Sequence, residues 1–328
     1  MDGLEIYLMQ LLNHIKAVRK LPLIYALMTG KRTGQAVQEA HLFKMKHLFG
    51  LTPKLKEAEF FACVDRLAEQ GWVRVSEAGC ISVRETADER FERPDWQGFL
   101  IQKRAHNFFL RLLLASQVIS QRQHGRVHYL PAVRDKAVQF HIKEWLRGSQ
   151  NFQLTERLRE ELVNWLGHSE IKYPELVAFR LSGGEWIGLT EEQLYERCGL
   201  SYWDGYFEWL YAIHFLFQHQ ADFPILQSLM PAPELAMTSS GTATFLQMNE
   251  VAGIEQLAGL RHLKQSTIED HLVEIQATFP GKNFEGLPDQ AVCQEIAQGS
   301  FTSLKEIKTH YPDLSYFEIR MAVVKGAR

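Results

Sequence analysis

Basic side chains near the start of the chain have types and spacing that suit contact with a polyanion. Residues 1–56 carry nine Lys or Arg against three Asp or Glu, a net charge of +6. Such cations neutralise phosphates, and the resulting affinity weakens with salt and depends little on base sequence. The predicted DNA contacts, here called the N-terminal cations, are Lys31, Arg32, Lys44, Lys46, Lys54, Lys56, Arg74 and Arg84. The alternative interpretation is a solvated basic face without a ligand.

The overall net charge of −3 conceals opposite charges on successive segments. Residues 98–147 hold nine Lys or Arg against two Asp or Glu, a net charge of +7. Residues 148–235 hold 5 against 13, a net charge of −8, and residues 236–328 hold 8 against 11, a net charge of −3. Two interpretations stay open. The basic segments form one face for an anionic ligand, or they neutralise the acidic segments across a domain contact.

Catalytic motifs are not found in the sequence. The stretch TGKRT at 29–33 resembles a phosphate-binding loop, but that loop needs glycine where Tyr25 stands and Ser or Thr where Arg32 stands. His124 and His128 are not part of an HExxH pattern, and Cys198 has no adjacent histidine that would activate its thiol. The sequence therefore predicts a protein that is not an enzyme and uses no metal or cofactor.

The stretch IEQLAGLRHLKQSTIEDHLVEI at 254–275 has the spacing of a helix-turn-helix. Leu257 and Ala258 supply an apolar and a small side chain where two steeply crossed helices must meet. Ile268, Leu272 and Ile275 recur at steps of four and three residues, which predicts one buried stripe on the second helix. A second helix-turn-helix is predicted over 303–325.

The polar residues of the second helix at 265–277 are predicted to be exposed. They carry more carboxylates than cations, which is a poor surface for DNA phosphates. A protein-contact or purely structural role is therefore favoured over reading of the DNA groove, which stays the alternative. The predicted protein contacts are Gln265, Glu269, Asp270 and Glu274, and Gln276 is expected to be exposed beside them. In the closing helix, Arg320 is a further candidate for contact with DNA.

Helical periodicity dominates the remainder of the chain. Helices are predicted at 4–19, 22–29, 33–40 and 54–70, and WVRVSEAGCISV at 72–83 reads as a β-hairpin. Helices followed by a hairpin are typical of a winged helix. Further helices are predicted at 97–121, 133–146, 153–166 and 190–222. The fold class is mainly α, with a winged-helix-like domain at 1–95, a helical middle domain at 96–232 and a helix-turn-helix domain at 237–328.

Several of these stretches carry a family resemblance. LAGLRHL and TIEDHLVEI are similar to the C-terminal helix-turn-helix domain of many bacterial RecQ-type helicases, and SYFEIRMAV resembles its closing helix. YALMTGKRTGQAVQEAHLFKMKHLFG at 25–50 resembles the start of the YpbB family. The resemblance implies an accessory role in DNA metabolism and a RecQ-like helicase as partner, and it supplies no catalytic residues. His262 departs from the pattern, because the turn usually has glycine there.

Composition favours a cytoplasmic protein that does not enter a membrane. The chain has 328 residues, 46% of them hydrophobic, and no uncharged apolar run of about 18 residues. Its four cysteines are widely spaced, which favours a reducing compartment. The leading hypothesis is a non-catalytic accessory factor that binds the DNA backbone with its N-terminal half, a RecQ-like helicase, or both. The alternatives are a sequence-specific helix-turn-helix transcription regulator and a protein adaptor without DNA binding.

Overall fold

The chain is mainly helical, as predicted. The computed structural model describes residues 1–15, 17–84, 96–148, 153–232, 237–251, 253–279, 281, 282, 284 and 287–326, and describes 102 and 103 by their backbone alone. The helices in chain order are α1 (Gly3–His14), α2 (Leu21–Thr29), α3 (Gly34–Leu42), α4 (Glu57–Glu69), α5 (Gly98–Gln123), α6 (Lys136–Gly148), α7 (Leu154–Leu166), α8 (Glu175–Ala178), α9 (Glu191–Cys198), α10 (Tyr202–Gln218), α11 (Pro224–Leu229), α12 (Ser239–Gln247), α13 (Ile254–Arg261), α14 (Gln265–Thr278), α15 (Gln290–Gln298), α16 (Leu304–His310) and α17 (Tyr316–Gly326).

A small antiparallel sheet accompanies the N-terminal helices. The predicted hairpin at 72–83 is confirmed as strands β2 (Val73–Val75) and β3 (Cys80–Val83), with Val73 opposite Val83. Gly79 takes a positive φ of 68° in the turn, a conformation that suits glycine. A third strand, β1 (Arg19–Lys20), pairs with β3 and was not predicted, because two residues carry no recognisable alternation.

The described residues pack into two compact units. One, here called the central unit, comprises Met1–Ile6 and Arg93–Glu234. The other, the terminal unit, joins Tyr7–Glu92 to Leu235–Arg328. The predicted division into domains at 1–95, 96–232 and 237–328 stays a prediction. Packing places most of the first and the last of these segments in one unit.

Aromatic side chains form much of the core of the central unit. The segment predicted as one helix at 190–222 is broken where Gly199 takes a φ of 68° and Ser201 caps the start of α10. Along α10, residues including Phe207, Trp209 and Phe217 are buried. Several aromatic pairs in this unit, such as Phe108 with Phe217 and Phe109 with Trp209, pack edge to face, and their large apolar area contributes strongly to stability. Most of the aromatic run is therefore core, as its helical spacing predicted, whereas Tyr202 at the start of α10 is exposed.

Three helices meet at the centre of the terminal unit. α14 and α17 pack against each other, and both pack against α3 from the N-terminal part of the chain. Ile268 on α14 and Ile319 on α17 are fully buried there, as is Ala36 on α3. Burial of this apolar surface drives the association of the N-terminal and C-terminal segments. The C-terminal helices therefore share one core with α3.

Candidate functional site

The predicted helix-turn-helix is present as α13 and α14. Leu257 and Ala258 are buried, as expected for side chains at the contact between the two helices. His262 follows α13 in the left-handed conformation, with φ 51° and ψ 42°, and the Leu263 N–H donates to the carbonyl of Ala258. The turn thus keeps the positive φ that usually selects glycine, although a histidine occupies it. The motif is confirmed, with local strain at one residue.

The second helix of this motif is buried on more sides than the sequence indicated. The predicted stripe of Ile268, Leu272 and Ile275 is confirmed. However, Glu274 and Gln276 are also buried, so the expectation that they are exposed is wrong. The physical reason is that α14 packs against α3, α12, α13 and α17, which leaves few free directions around it. A periodic pattern identifies the apolar stripe but not polar side chains covered by other segments.

Glu274 connects α14 to the start of α12. Its carboxylate accepts hydrogen bonds from the backbone N–H of Thr238, at 2.5 Å, and from the Thr238 hydroxyl, at 2.8 Å. Burial raises the pKa of Glu274, while these hydrogen bonds and the charge of Arg32 act in the opposite direction. A buried carboxylate with such hydrogen-bond partners typically has a structural role. In this conformation it is not available as a contact for another protein.

Asp270 and Arg320, one predicted to contact protein and the other DNA, contact each other. They form an ion pair between α14 and α17. The pair lies against the start of α3, since a Cβ added to Gly34 would stand 2.7 Å from the Asp270 carboxylate. Arg320 is therefore engaged within the terminal unit, and its role in DNA binding stays a prediction. Gln265 is exposed and Glu269 half-buried, and they are joined by a hydrogen bond of 3.2 Å.

The second predicted helix-turn-helix is present as α16 and α17. Ser315 and Glu318 exchange hydrogen bonds at the start of α17, which confirms the predicted cap. Ile319 and Val323 are buried as expected. Met321 and Val324 are buried too, so α17 is enclosed on several sides. Both second helices thus lie inside the terminal unit, and neither presents a free face for insertion into a DNA groove.

The structure separates the N-terminal cations into two groups. Two of them are half-buried, and burial lowers the pKa of both side chains, that of Arg32 to about 10. The Arg32 guanidinium also lies 5.5 Å from the centre of the Phe49 ring. The half-buried pair is Arg32 and Lys46. The exposed group, which remains accessible to phosphates, is Lys31, Lys44, Lys54, Lys56, Arg74 and Arg84.

The helix that precedes the hairpin, α4, has an acidic surface. Among its described residues, the exposed charges include one arginine, Arg66, against four carboxylates. These carboxylates belong to Glu57, Glu59, Asp65 and Glu69. Such a face repels DNA phosphates. The helix that usually reads DNA in a winged helix is therefore unsuited to that task here, and the exposed N-terminal cations lie on the segments around it.

A groove of about 710 Å³ runs beside these segments. Its wall includes Tyr25 and the exposed ring of Phe61, and its charged residues include Lys31 and Glu57. Lys20 also lines it and is exposed, although it was not among the predicted contacts. The signal for Lys20 was the basic dipeptide at 19–20. Its neighbour Arg19 is engaged instead, since it pairs with Glu39 at 2.9 Å and donates to the Thr302 carbonyl at 2.7 Å.

In the central unit, part of the second basic segment is also engaged internally. Arg104 donates to the carbonyl of Pro231, and Arg111 donates to the carbonyl of Leu229. Burial lowers the pKa of Arg111. The sequence does not distinguish such structural arginines from exposed ones. Exposed cations of this segment include Arg122, Arg134, Lys136 and Lys143.

The searched part of the chain offers no metal-binding group and no membrane span. No three His, Cys, Asp or Glu side chains among the described residues are arranged to hold a metal ion. Of the helices that the structure describes, none combines the length and apolarity needed to cross a membrane. The absence of a cofactor and of catalysis stays a prediction.

Comparison with known proteins agrees with the resemblance seen in the sequence. The family model described as "Helix-turn-helix domain" matches residues 241–323. "Protein YpbB" of Bacillus subtilis (strain 168) is 26% identical over 340 residues, which cover 98% of this chain and 97% of that protein. No solved structure matches. The helix-turn-helix domain and the similarity to YpbB together suggest a DNA-associated role. The chain is thus similar to Protein YpbB over nearly its whole length and carries a helix-turn-helix domain at residues 241–323.

Proposed function

We propose that this chain is a non-catalytic accessory factor of DNA metabolism that holds the DNA backbone through its exposed N-terminal cations. One observation supports this proposal most. The cations at 31–84 are mostly exposed on loops and on the hairpin, whereas the second helices of both helix-turn-helix motifs are enclosed by other helices. Contacts from loop lysines to phosphates position a protein on DNA without reading bases.

Burial of α14 and α17 also argues against sequence-specific regulation. A groove-reading helix presents several side chains to base edges at once. In α14, among described residues, Gln265 and Ser266 are the only exposed positions, and both lie in its first turn. A side chain at one end of a helix contacts few base pairs. The transcription-regulator alternative is therefore less favoured than backbone binding.

The second part of the proposal is a protein partner, a RecQ-like helicase. Its support is the sequence resemblance, and the accessible surface for it includes the start of α14 with Gln265 and Glu269. Because Glu274 is buried, it is not part of this candidate surface. A cytoplasmic location belongs to the same proposal.

A salt titration tests DNA binding. Fluorescently labelled single-stranded, duplex and forked DNA would be titrated with the full chain at several salt concentrations. The variant Lys31→Glu/Lys54→Glu/Lys56→Glu changes three exposed lysines and leaves the half-buried Arg32 and Lys46 intact. Its slope of log affinity against log salt on duplex should be smaller by about 2 to 3, from about 0.9 per lost phosphate contact. Lys305→Glu, an exposed lysine on α16, is the matched control.

Two results would contradict the DNA proposal. The wild-type chain fails to bind any of the three DNA forms at low salt, or the triple variant and the control bind with equal affinity and slope. The helicase is tested separately, by biolayer interferometry with the purified RecQ-like helicase of the same organism and with Gln265→Lys/Glu269→Lys. Absence of helicase binding up to about 100 μM, a range where even weak complexes are seen, would remove that partner alone.

A further inference from the structure

We propose that the groove between α5 and α6 in the central unit binds an acidic amphipathic segment of a partner protein. This groove, here called the α5–α6 groove, has a volume of about 580 Å³. The buried Leu114 and Ile142 form its floor, and the half-buried Val118 on α5 and Leu146 on α6 leave apolar surface accessible. A volume of this size accommodates several aliphatic side chains. The proposal does not depend on DNA binding by the N-terminal cations.

The charged residues that line the groove are all cations. Three of the ten residues that line it are cations, Arg122, Lys143 and Arg147, and none is a carboxylate. Arg147 pairs with Glu144 one turn earlier, at 2.5 Å, but both side chains are largely exposed. An exposed pair of this kind contributes little and exchanges readily for another carboxylate. Charge complementarity therefore favours an acidic occupant.

Large apolar side chains next to the groove are exposed to solvent. Leu130, between the lining residues Tyr129 and Pro131, is 90% exposed, and Phe140, which follows the lining residue Gln139, is 66% exposed. Phe140 lies three positions before Lys143 and seven before Arg147, so it shares their side of α6. A groove with apolar residues at its edge and cations among them is typical of a surface that receives another protein.

The loop that joins α5 to α6 and carries Leu130 is held in place by hydrogen bonds. The Gln117 side-chain amide donates to the carbonyl of Leu130 at 3.1 Å, and its oxygen accepts from the Ala132 N–H at 2.7 Å. Gln139 on α6 donates to the Val133 carbonyl at 2.9 Å. Leu130 is thus presented outward by a backbone tied to both helices. Such preorganisation lowers the entropy lost when a partner binds.

The chemistry of the groove favours a peptide over a nucleic acid. Single-stranded nucleic acids are bound largely by stacking of bases on aromatic rings, with cations along the backbone. Among its lining residues the groove has one aromatic ring, Tyr129, and its apolar surface is otherwise mostly aliphatic. Leu, Ile or Met side chains of an amphipathic helix fit such a surface, and flanking Asp or Glu meet the cations. The groove therefore matches a helix with apolar and acidic residues at three- and four-residue spacing.

Synthetic peptides of about 18 residues, long enough to form a helix, test this proposal with the full chain. The probe is a fluorescein-labelled peptide with leucines at three- and four-residue spacing and glutamates between them. One comparison peptide replaces glutamate by lysine, and another replaces leucine by serine. In fluorescence anisotropy the Glu/Leu peptide should bind at least about tenfold more tightly than either, since both charge and apolar contacts contribute. Labelled single-stranded and duplex oligonucleotides are measured in parallel.

Variants locate the binding to the groove. Arg122→Glu/Lys143→Glu should weaken the Glu/Leu peptide by at least about tenfold, and Leu130→Ser should weaken it several-fold. Lys172→Glu changes an exposed lysine of the same unit outside the groove and should leave binding unchanged. The proposal is overturned if the Glu/Leu peptide shows no saturable binding, or if it binds the double variant as well as wild type. Loss of oligonucleotide binding in the double variant, with no peptide binding, would assign the groove to nucleic acid instead.

Discussion

Two adjacent cations, Lys31 and Arg32, are expected to behave in opposite ways when substituted. The sequence placed both among the DNA contacts, whereas the structure exposes Lys31 and half-buries Arg32. We expect Arg32→Ala to lower the free energy of unfolding and to leave the salt dependence of DNA binding unchanged. Lys31→Ala should leave the free energy of unfolding nearly unchanged and should reduce the salt dependence of DNA binding. The comparison separates a structural cation from a phosphate contact within two residues of chain.

The expected loss for Arg32→Ala follows from its surroundings. Its guanidinium faces the Phe49 ring at 5.5 Å, an interaction of about 1–2 kcal/mol when partly desolvated. It also attracts the buried carboxylate of Glu274. Loss of this attraction adds to the cost, but Glu274 keeps two hydrogen bonds from Thr238, which limits it. We therefore expect a loss of about 2 kcal/mol.

Thermal unfolding followed by circular dichroism measures this loss. For a unit of this size, about 2 kcal/mol corresponds to a fall in Tm of about 4–8 °C. Lys31→Ala should stay within about 0.5 kcal/mol of wild type, as surface substitutions usually do. In a double-mutant cycle, Arg32→Ala/Glu274→Gln should lose less than the sum of the two single variants. The same samples enter the salt titration, where Lys31→Ala should reduce the slope by about 0.9.

The reasoning is refuted by either of two results. Arg32→Ala melts at the wild-type temperature, which means that its buried contacts contribute nothing. Alternatively, Arg32→Ala reduces the salt slope as much as Lys31→Ala does, which means that the guanidinium reaches DNA despite its burial.

Three further predictions concern backbone conformation and one buried histidine. Gly326→Ala should lower the free energy of unfolding by about 1–3 kcal/mol, because its Cβ would stand 2.1 Å from a carbonyl oxygen of α15. Gly259→Ala, whose Cβ meets open space in α13, should raise it by about 0.5–1 kcal/mol. Urea unfolding measures both changes. Burial lowers the pKa of His214 to about 3 from 6.5, so the free energy of unfolding should fall as pH drops below about 6.5. His214→Asn keeps an acceptor for the Gln97 N–H and should reduce the slope of that fall by up to ~1.4 kcal/mol per pH unit. Equal slopes of stability against pH in the variant and wild type would contradict this. His262→Gly should raise stability by about 0.5 kcal/mol, since relief of left-handed strain exceeds the entropy cost of glycine, and a lower Tm would be the opposite result.

Local patterns in the sequence predicted the elements well. Apolar residues at three- and four-residue steps identified α14 and its stripe of Ile268, Leu272 and Ile275. The cap at Ser315 and the hairpin at 72–83 were also predicted from residues close together in the chain. These features depend on interactions within a few residues, so a single sequence contains the information they need.

Long-range packing limited the prediction of the site. Glu274 was expected on the surface because glutamate in an isolated helix is polar and faces water. Its burial results from α3 and α12, which are distant in sequence, and no local signal announces them. Arg32 and Lys31 are likewise indistinguishable by type and spacing. Which of two neighbouring cations faces solvent is determined by the fold of the terminal unit.

The shared core of the terminal unit bears on how a helix-turn-helix protein of this kind can contact DNA. Entry of α14 into a DNA groove would require its separation from the helices packed around it, which exposes Ile268 and other fully buried side chains. Burying one such side chain contributes about 1.5–3 kcal/mol, and several would become exposed together. The polar residues of α14 include carboxylates, which do not interact favourably with phosphates. DNA contact through the exposed N-terminal cations requires no such rearrangement, and its affinity should therefore vary with salt far more than with base sequence.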